Sequence, residues 1–132
     1  LEPLPVRHEN GEYRVVKEAD RLVELASVTA ALGSTSRYTW LKLPYTGGFE
    51  RVAGATTLPI VILGGGRSSD IEALLSDLNE ALSSGSNVRG AMFGRNVLYP
   101  DEVDSLALAE AIGRLVHGAN KLEEVLNIVE IE

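Results

Sequence analysis

The run LPIVIL at residues 58–63, followed at once by Gly64-Gly65-Gly66, constrains this chain more than any other stretch. A strand with no polar alternation is the kind buried on both faces, as happens inside a parallel sheet. Parallel neighbours need crossovers, and the flanks supply them. A short helix over residues 49–55 precedes the run, and Ile71, Leu74, Leu75, Leu78, Ala81 and Leu82 form one helical stripe after it. The same alternation runs along the chain. Residues 1–6 (LEPLPV) read as a first strand, and residues 16–32 carry helical spacing at Leu22, Leu25, Ala26 and Thr29, closed by Gly33. Residues 38–43 make the second strand, ended by Pro44 and the Thr46-Gly47-Gly48 turn. Residues 88–93 make the fourth, followed by a helix with Val103, Leu106, Ala107, Ala111 and Leu115. Residues 120–132 read as an additional amphipathic helix or strand. Strands alternating with helices fit an open doubly wound sheet or a (β/α) barrel, and both put ligand chemistry at the carboxyl ends of the strands.

Length and composition narrow the options further. With 132 residues, 45% of them hydrophobic, there is material for one core and not for two. A formal net charge of -7 without clustered Lys or Arg argues against a nucleic-acid partner, because phosphate neutralisation needs grouped cations. Anionic metabolites stay open, since a few local cations and backbone amides outweigh a negative average. With no cysteine there is no disulfide, thiolate nucleophile or cysteine metal site. No apolar run approaches the roughly 18 residues of a membrane span, and the first residues are not a signal peptide, so a cytoplasmic protein without a membrane partner is expected. A start at Leu1, inside what reads as a strand, leads us to expect a processed chain or a fragment.

The unusual residues lie at the strand ends. In YTWLKLPYTGG (residues 38–48), Lys42 stands between Leu41 and Leu43. Such a lysine either packs its stem and reaches water with its ammonium, or is desolvated toward the neutral amine that attacks carbonyls as a Schiff-base nucleophile. Strand alternation puts Trp40, Lys42 and Pro44 on one face, with Tyr45 just beyond. The segment GGGRSSD (residues 64–70) lacks the lysine of a phosphate-binding P-loop and has Ser69 where a dinucleotide fingerprint needs its third glycine. It offers glycines that let backbone approach a ligand, then Ser68, Ser69 or Asp70 as an N-cap. Amides in such a turn can hold an anion, although the same glycines suit an ordinary tight turn. Gly94-Arg95-Asn96 adds a second glycine break and an arginine whose fork binds phosphate or pairs with a surface carboxylate. His8 and His117 read as surface residues.

Taken jointly, WLKLPYTGGFERVAGATTLPIVILGGG and GAMFGRNVLYP resemble the C-terminal half of the class I aldolases of the DeoC/LacD superfamily. They are similar to the archaeal-type fructose-bisphosphate aldolases, whose Schiff-base lysine sits in a K-x-x-Y-T-G-like context on the sixth strand and whose eighth strand ends in G-R-N. The likeness covers about residues 38–118. It implies a (β/α)8 TIM barrel of which this chain supplies four βα units, strands five to eight: a half barrel over residues 1–118, with an extension over 119–132. It also implies a lyase that makes or breaks a carbon-carbon bond in a phosphorylated sugar or ketose through an iminium on Lys42, with no metal and no cofactor. Gly64, Gly65, Gly66, Gly94 and Arg95 become the phosphate cradle. The acid/base tyrosine of the archaeal-type fifth strand has no counterpart in LEPLPV. Glu2 stands in a context more like the glutamate of the tagatose-bisphosphate aldolase branch and is the acid/base candidate, with Tyr45 second.

Four parallel strands would leave open edges and an apolar face, so a missing N-terminal half barrel or a homo-oligomer is expected to complete the protein. The isolated chain is expected to be inactive or weak. The rival reading is a non-catalytic α/β module that binds a sugar phosphate or a protein partner and keeps Lys42 as inheritance. A phosphosugar isomerase without covalent catalysis is a third.

Overall fold

A computed structural model describes residues 1–101, 103–118 and 121–129. Its centre is a three-stranded parallel sheet in the order β3 (Leu41–Pro44), β4 (Ile60–Leu63), β5 (Val88–Met92). Ahead of it come a two-stranded antiparallel ribbon, β1 (Val6–Glu9) and β2 (Glu12–Val15), and the helix α1 (Ala19–Ala30). The crossovers carry α2 (Phe49–Gly54) and α3 (Ile71–Ser83); a short α4 (Arg95–Leu98), α5 (Ser105–Val116), α6 (Leu122–Leu126) and a 3-10 turn (Asn127–Val129) follow β5.

One face of the sheet is buried and the other is not. Leu41 and Leu43 of β3, and Ile60 and Ile62 of β4, pack with Phe49, Val52, Leu75 and Leu78 into a single core. The intervening residues Lys42, Val61 and Leu63 are only half-buried, and Met92 is exposed. Alternation of side chains thus gives β3 and β4 one apolar face and one that turns toward solvent. Asn87, just before β5, ties the amino ends of the sheet: its Nδ2 donates to the carbonyls of Ala53 (3.0 Å), Thr56 (2.9 Å) and Leu58 (3.2 Å). Two long helices start at aspartates. Asp70 Oδ1 accepts from the Ala73 N–H (2.8 Å), and Asp104 Oδ1 accepts from those of Leu106 (2.9 Å) and Ala107 (3.0 Å). Such caps satisfy amide donors that the helix itself leaves free.

The half barrel of four βα units is not what this chain forms. It is a small α/β fold with three parallel strands and a separate hairpin. The expected first strand is absent because prolines end it after one step. The nitrogen of Leu1 donates to Trp40 O (2.9 Å), and Lys42 N–H donates to Leu1 O (2.8 Å), a single parallel bridge to β3. The next bonds of a parallel ladder would need an N–H on Pro3 and another on Pro44, and neither residue has one. The chain then runs into the β1–β2 hairpin. Asn10 (φ 52°) and Gly11 (φ 84°) form the tight turn of the β1–β2 hairpin, the Asn-Gly pair being the preferred one for two positive φ values. The second strand starts at Leu41 rather than at Tyr38, since Thr39 N–H closes a turn on Ser36 O (3.0 Å).

Of the expected extension over 119–132, Ala119, Asn120 and residues 130–132 lie outside the described residues. Within the rest, Val125 and Val129 are buried in the main core. Among the described residues no helix is long and apolar enough to cross a membrane.

Candidate functional site

β3, β4 and β5 run in parallel, so their carboxyl ends converge on one edge, and the residues that follow them surround a cleft of about 480 Å³. That size suits a small organic ligand. β3 contributes Lys42 and Pro44; β4 contributes Leu63 and the Gly64–Gly66 loop; β5 contributes Met92, then Gly94 and Arg95. Glu2, Leu4, Val15 and Lys17 close the cleft from the amino-terminal side. Of the catalytic and phosphate-cradle candidates, all but Tyr45 meet here, while Trp40 lies at a separate hollow.

Lys42 points into the cleft because its strand neighbours Leu41 and Leu43 point into the core. Its Nζ lies 3.0 Å from Glu2 Oε2, and the lysine side chain is 28% exposed, so it is paired and partly solvated rather than sealed in an apolar pocket. The bridge between Leu1 and β3 sets this pair: it holds residue 1 beside Leu41 and so delivers residue 2 next to residue 42.

The glycines of the cleft differ in what requires them. A Cβ on Gly64 would lie 2.5 Å from Phe93 Cδ1 and 3.2 Å from Phe93 Cα, so close packing of the two loops demands glycine there. Gly65 has φ +66°, where a side chain is strained. Gly66 and Gly94 have nothing within 4 Å of a built Cβ, so the fold leaves open space at both, and both face the cleft. Arg95 sends Nη2 to the carbonyl of Gly65 (2.9 Å), joining the loop after β5 to the loop after β4.

Tyr45 lies elsewhere. It borders a smaller hollow with Asp77, Leu74 and Phe93, and its ring is 6.0 Å from that of Phe49. Burial above all, then a hydrogen bond to Glu80 and the nearby carboxylates, push its phenol up to about 12. Sequence reasoning missed Lys17, which borders both hollows. Burial raises the Asp77 carboxyl and the Lys17 charge opposes that rise. The available signal was the Asn10-Gly11 hairpin turn, which returns the chain to the sheet edge. His8 lies on the exposed hairpin and His117 at the end of α5, and neither lines the cleft. Among the described residues no three His, Asp or Glu side chains are grouped as metal ligands would be.

A parallel sheet, a strand lysine paired with a carboxylate and glycine-rich strand ends together define a small α/β domain with an amine in its cleft. The chain belongs to the Cgl0159-like family, whose model matches residues 1–113. It is 32% identical over 133 aligned positions to a protein of Saccharolobus solfataricus named "Uncharacterized aldolase SSO3226", covering 98% of this chain and 45% of that protein. It is 35% identical over 86 positions to 2-amino-3,7-dideoxy-D-threo-hept-6-ulosonate synthase 1 of Archaeoglobus fulgidus, covering 65% of this chain and 31% of that protein. The crystal structure of Cgl0159 from Corynebacterium glutamicum superposes with a TM-score of 0.82 at 34% identity, over 90% of this chain and 39% of that one. The chain is therefore aldolase-like by relationship, and it spans less than half the length of these relatives.

Proposed function

We propose that the cleft is the amine-bearing part of a class I aldolase site acting on a phosphorylated ketose or sugar. The observation that carries the reading is the Lys42–Glu2 pair, 3.0 Å apart, in the same cleft as the two glycine loops.

In this reading Glu2 takes a proton from the Lys42 ammonium, leaving Nζ a free lone pair. Nζ attacks the substrate ketone carbon; the C–N bond forms and the carbonyl oxygen becomes a hydroxyl. Glu2 returns its proton to that hydroxyl, which leaves as water, and the iminium remains on Lys42. In cleavage, the bond between the carbons α and β to the iminium breaks as the β-hydroxyl gives up its proton to the Glu2 carboxylate. The electron pair passes into the iminium to give an enamine, and an aldehyde departs. The same steps in reverse join the two carbons. The phosphate rests against Gly65, Gly66, Gly94 and Arg95, and that binding orients the carbonyl toward Nζ. Tyr45 takes no part, since it does not reach the cleft.

The relatives named as aldolase and as ulosonate synthase support the carbon-carbon chemistry. Incubation with dihydroxyacetone phosphate and borohydride, followed by peptide mass spectrometry, tests it. A reduced adduct on Lys42, absent from Lys42→Met, is the expected result. A cleft that binds the phosphate and forms no adduct would return the chain to the non-catalytic binding module.

A further inference from the structure

Asn96 is 2% exposed, and both ends of its carboxamide are bonded to the loop after β4. Nδ2 donates to Gly64 O (2.7 Å), and Oδ1 accepts from the Ser68 N–H (2.8 Å). Asn96 does not line the cleft; it grips both ends of the loop that does. The 2.7 Å bond has a directional consequence. Gly64 O and the Gly65 N–H belong to one trans peptide, in which C=O and N–H point in opposite directions. A Gly64 carbonyl drawn toward Asn96 turns the Gly65 N–H away from it. Among the described residues no acceptor takes the N–H of Gly65 or Gly66, whereas that of Gly64 is bonded to Met92 O (3.3 Å).

We propose that Asn96 is a positioning residue for anion recognition: by fixing the Gly64–Gly65 peptide and the Ser68 amide, it presents the Gly65 N–H to the phosphate of the substrate. This deepens the reading of the cleft as a phosphate-binding aldolase site and rests on it. A leucine of nearly the same shape carries no charge, no N–H for Gly64 O and no acceptor for the Ser68 N–H, so the peptide loses its fixed direction without any new repulsion of the ligand. A merely structural asparagine would weaken every ligand of the cleft alike. A positioning one weakens phosphate selectively.

The test compares wild type and Asn96→Leu, each shown folded by its melting curve, with two donors in the borohydride reaction: dihydroxyacetone phosphate and dihydroxyacetone. The expected result is that the preference for the phosphorylated donor, measured as the ratio of half-saturating concentrations, falls by about tenfold or more. An unchanged ratio overturns the proposal. Inorganic phosphate titrated into wild type, read by amide NMR, supplies a measurement that needs no variant. The Gly65 amide should shift, and a static Gly65 amide at saturating phosphate also overturns it. The two readings separate cleanly. A phosphate-induced Gly65 shift with no adduct on Lys42 refutes the aldolase chemistry and supports the anion site. A Lys42 adduct whose donor preference ignores Asn96→Leu refutes only the role of Asn96.

Discussion

Lys42 Nζ and Glu2 Oε2 stand 3.0 Å apart although 40 positions separate them in the chain. The backbone bridge of Leu1 to Trp40 and Lys42 brings the two side chains together, so the pair is a product of strand pairing rather than of local sequence.

Removing the carboxylate tests whether the pair moves protons. Glu2→Gln keeps the size and a hydrogen-bonding oxygen, and it should slow Lys42 adduct formation about 10²-fold with little change in melting temperature. Stopped-time borohydride trapping gives the rate. An unaltered rate would leave Glu2 a simple ion-pair partner.

The glycines predict a split between stability and binding. Gly64→Ala must push Phe93 aside, at a cost of about 1–3 kcal/mol, visible as a lower urea midpoint. Gly66→Ala has open space and should leave the midpoint unchanged while weakening binding of inorganic phosphate. Equal midpoints for the two variants would contradict the packing argument.

Asn87 carries a stability prediction remote from the cleft. Asn87→Ala orphans the carbonyls of Ala53, Thr56 and Leu58 and should cost about 1–3 kcal/mol in denaturant unfolding. Lys42 labelling should persist below the transition.

Tyr45 predicts a pH effect. Its phenol ionises near 10 in the unfolded chain and at about 12 when folded. The folded state therefore holds this proton more tightly, so the associated stability is complete below pH 10 and is lost as pH rises toward 12. In an absorbance titration the Tyr45 phenol should ionise late. Tyr45→Phe should remove the late step and flatten the alkaline loss of stability.

Much of the sheet and its helices could be read from apolar spacing. Leu58–Leu63 contains β4, the Ile71 stripe gives α3, and Asp70 caps that helix as one of three candidates. The barrel expectation failed because LEPLPV has the composition of a strand but not its donors: after the Leu1 bridge the next ladder bonds fall on the nitrogens of Pro3 and Pro44, a coincidence that only the folded pairing reveals. The hairpin is legible in Asn10-Gly11, the pair favoured where both turn residues take a positive φ. Lys42, Glu2 and the strand-end glycines do converge, whereas Tyr45, adjacent to the strand in sequence, turns to the helix side with Asp77 and Glu80. Lys17 could not be placed from spacing, since its approach to the cleft depends on where the hairpin folds back.

None of the eight residues in β1 and β2 is buried, and yet Val15 at the foot of the ribbon, with Lys17 close behind it, borders the cleft. The ribbon thus sits outside the packing constraints that govern Leu41, Ile60 or Leu75. Mutations can accumulate along it, or change its length, with little penalty to folding, while each change at its foot alters the cleft wall. In such an arrangement the wall of the cleft can change faster over evolutionary time than the scaffold beneath it.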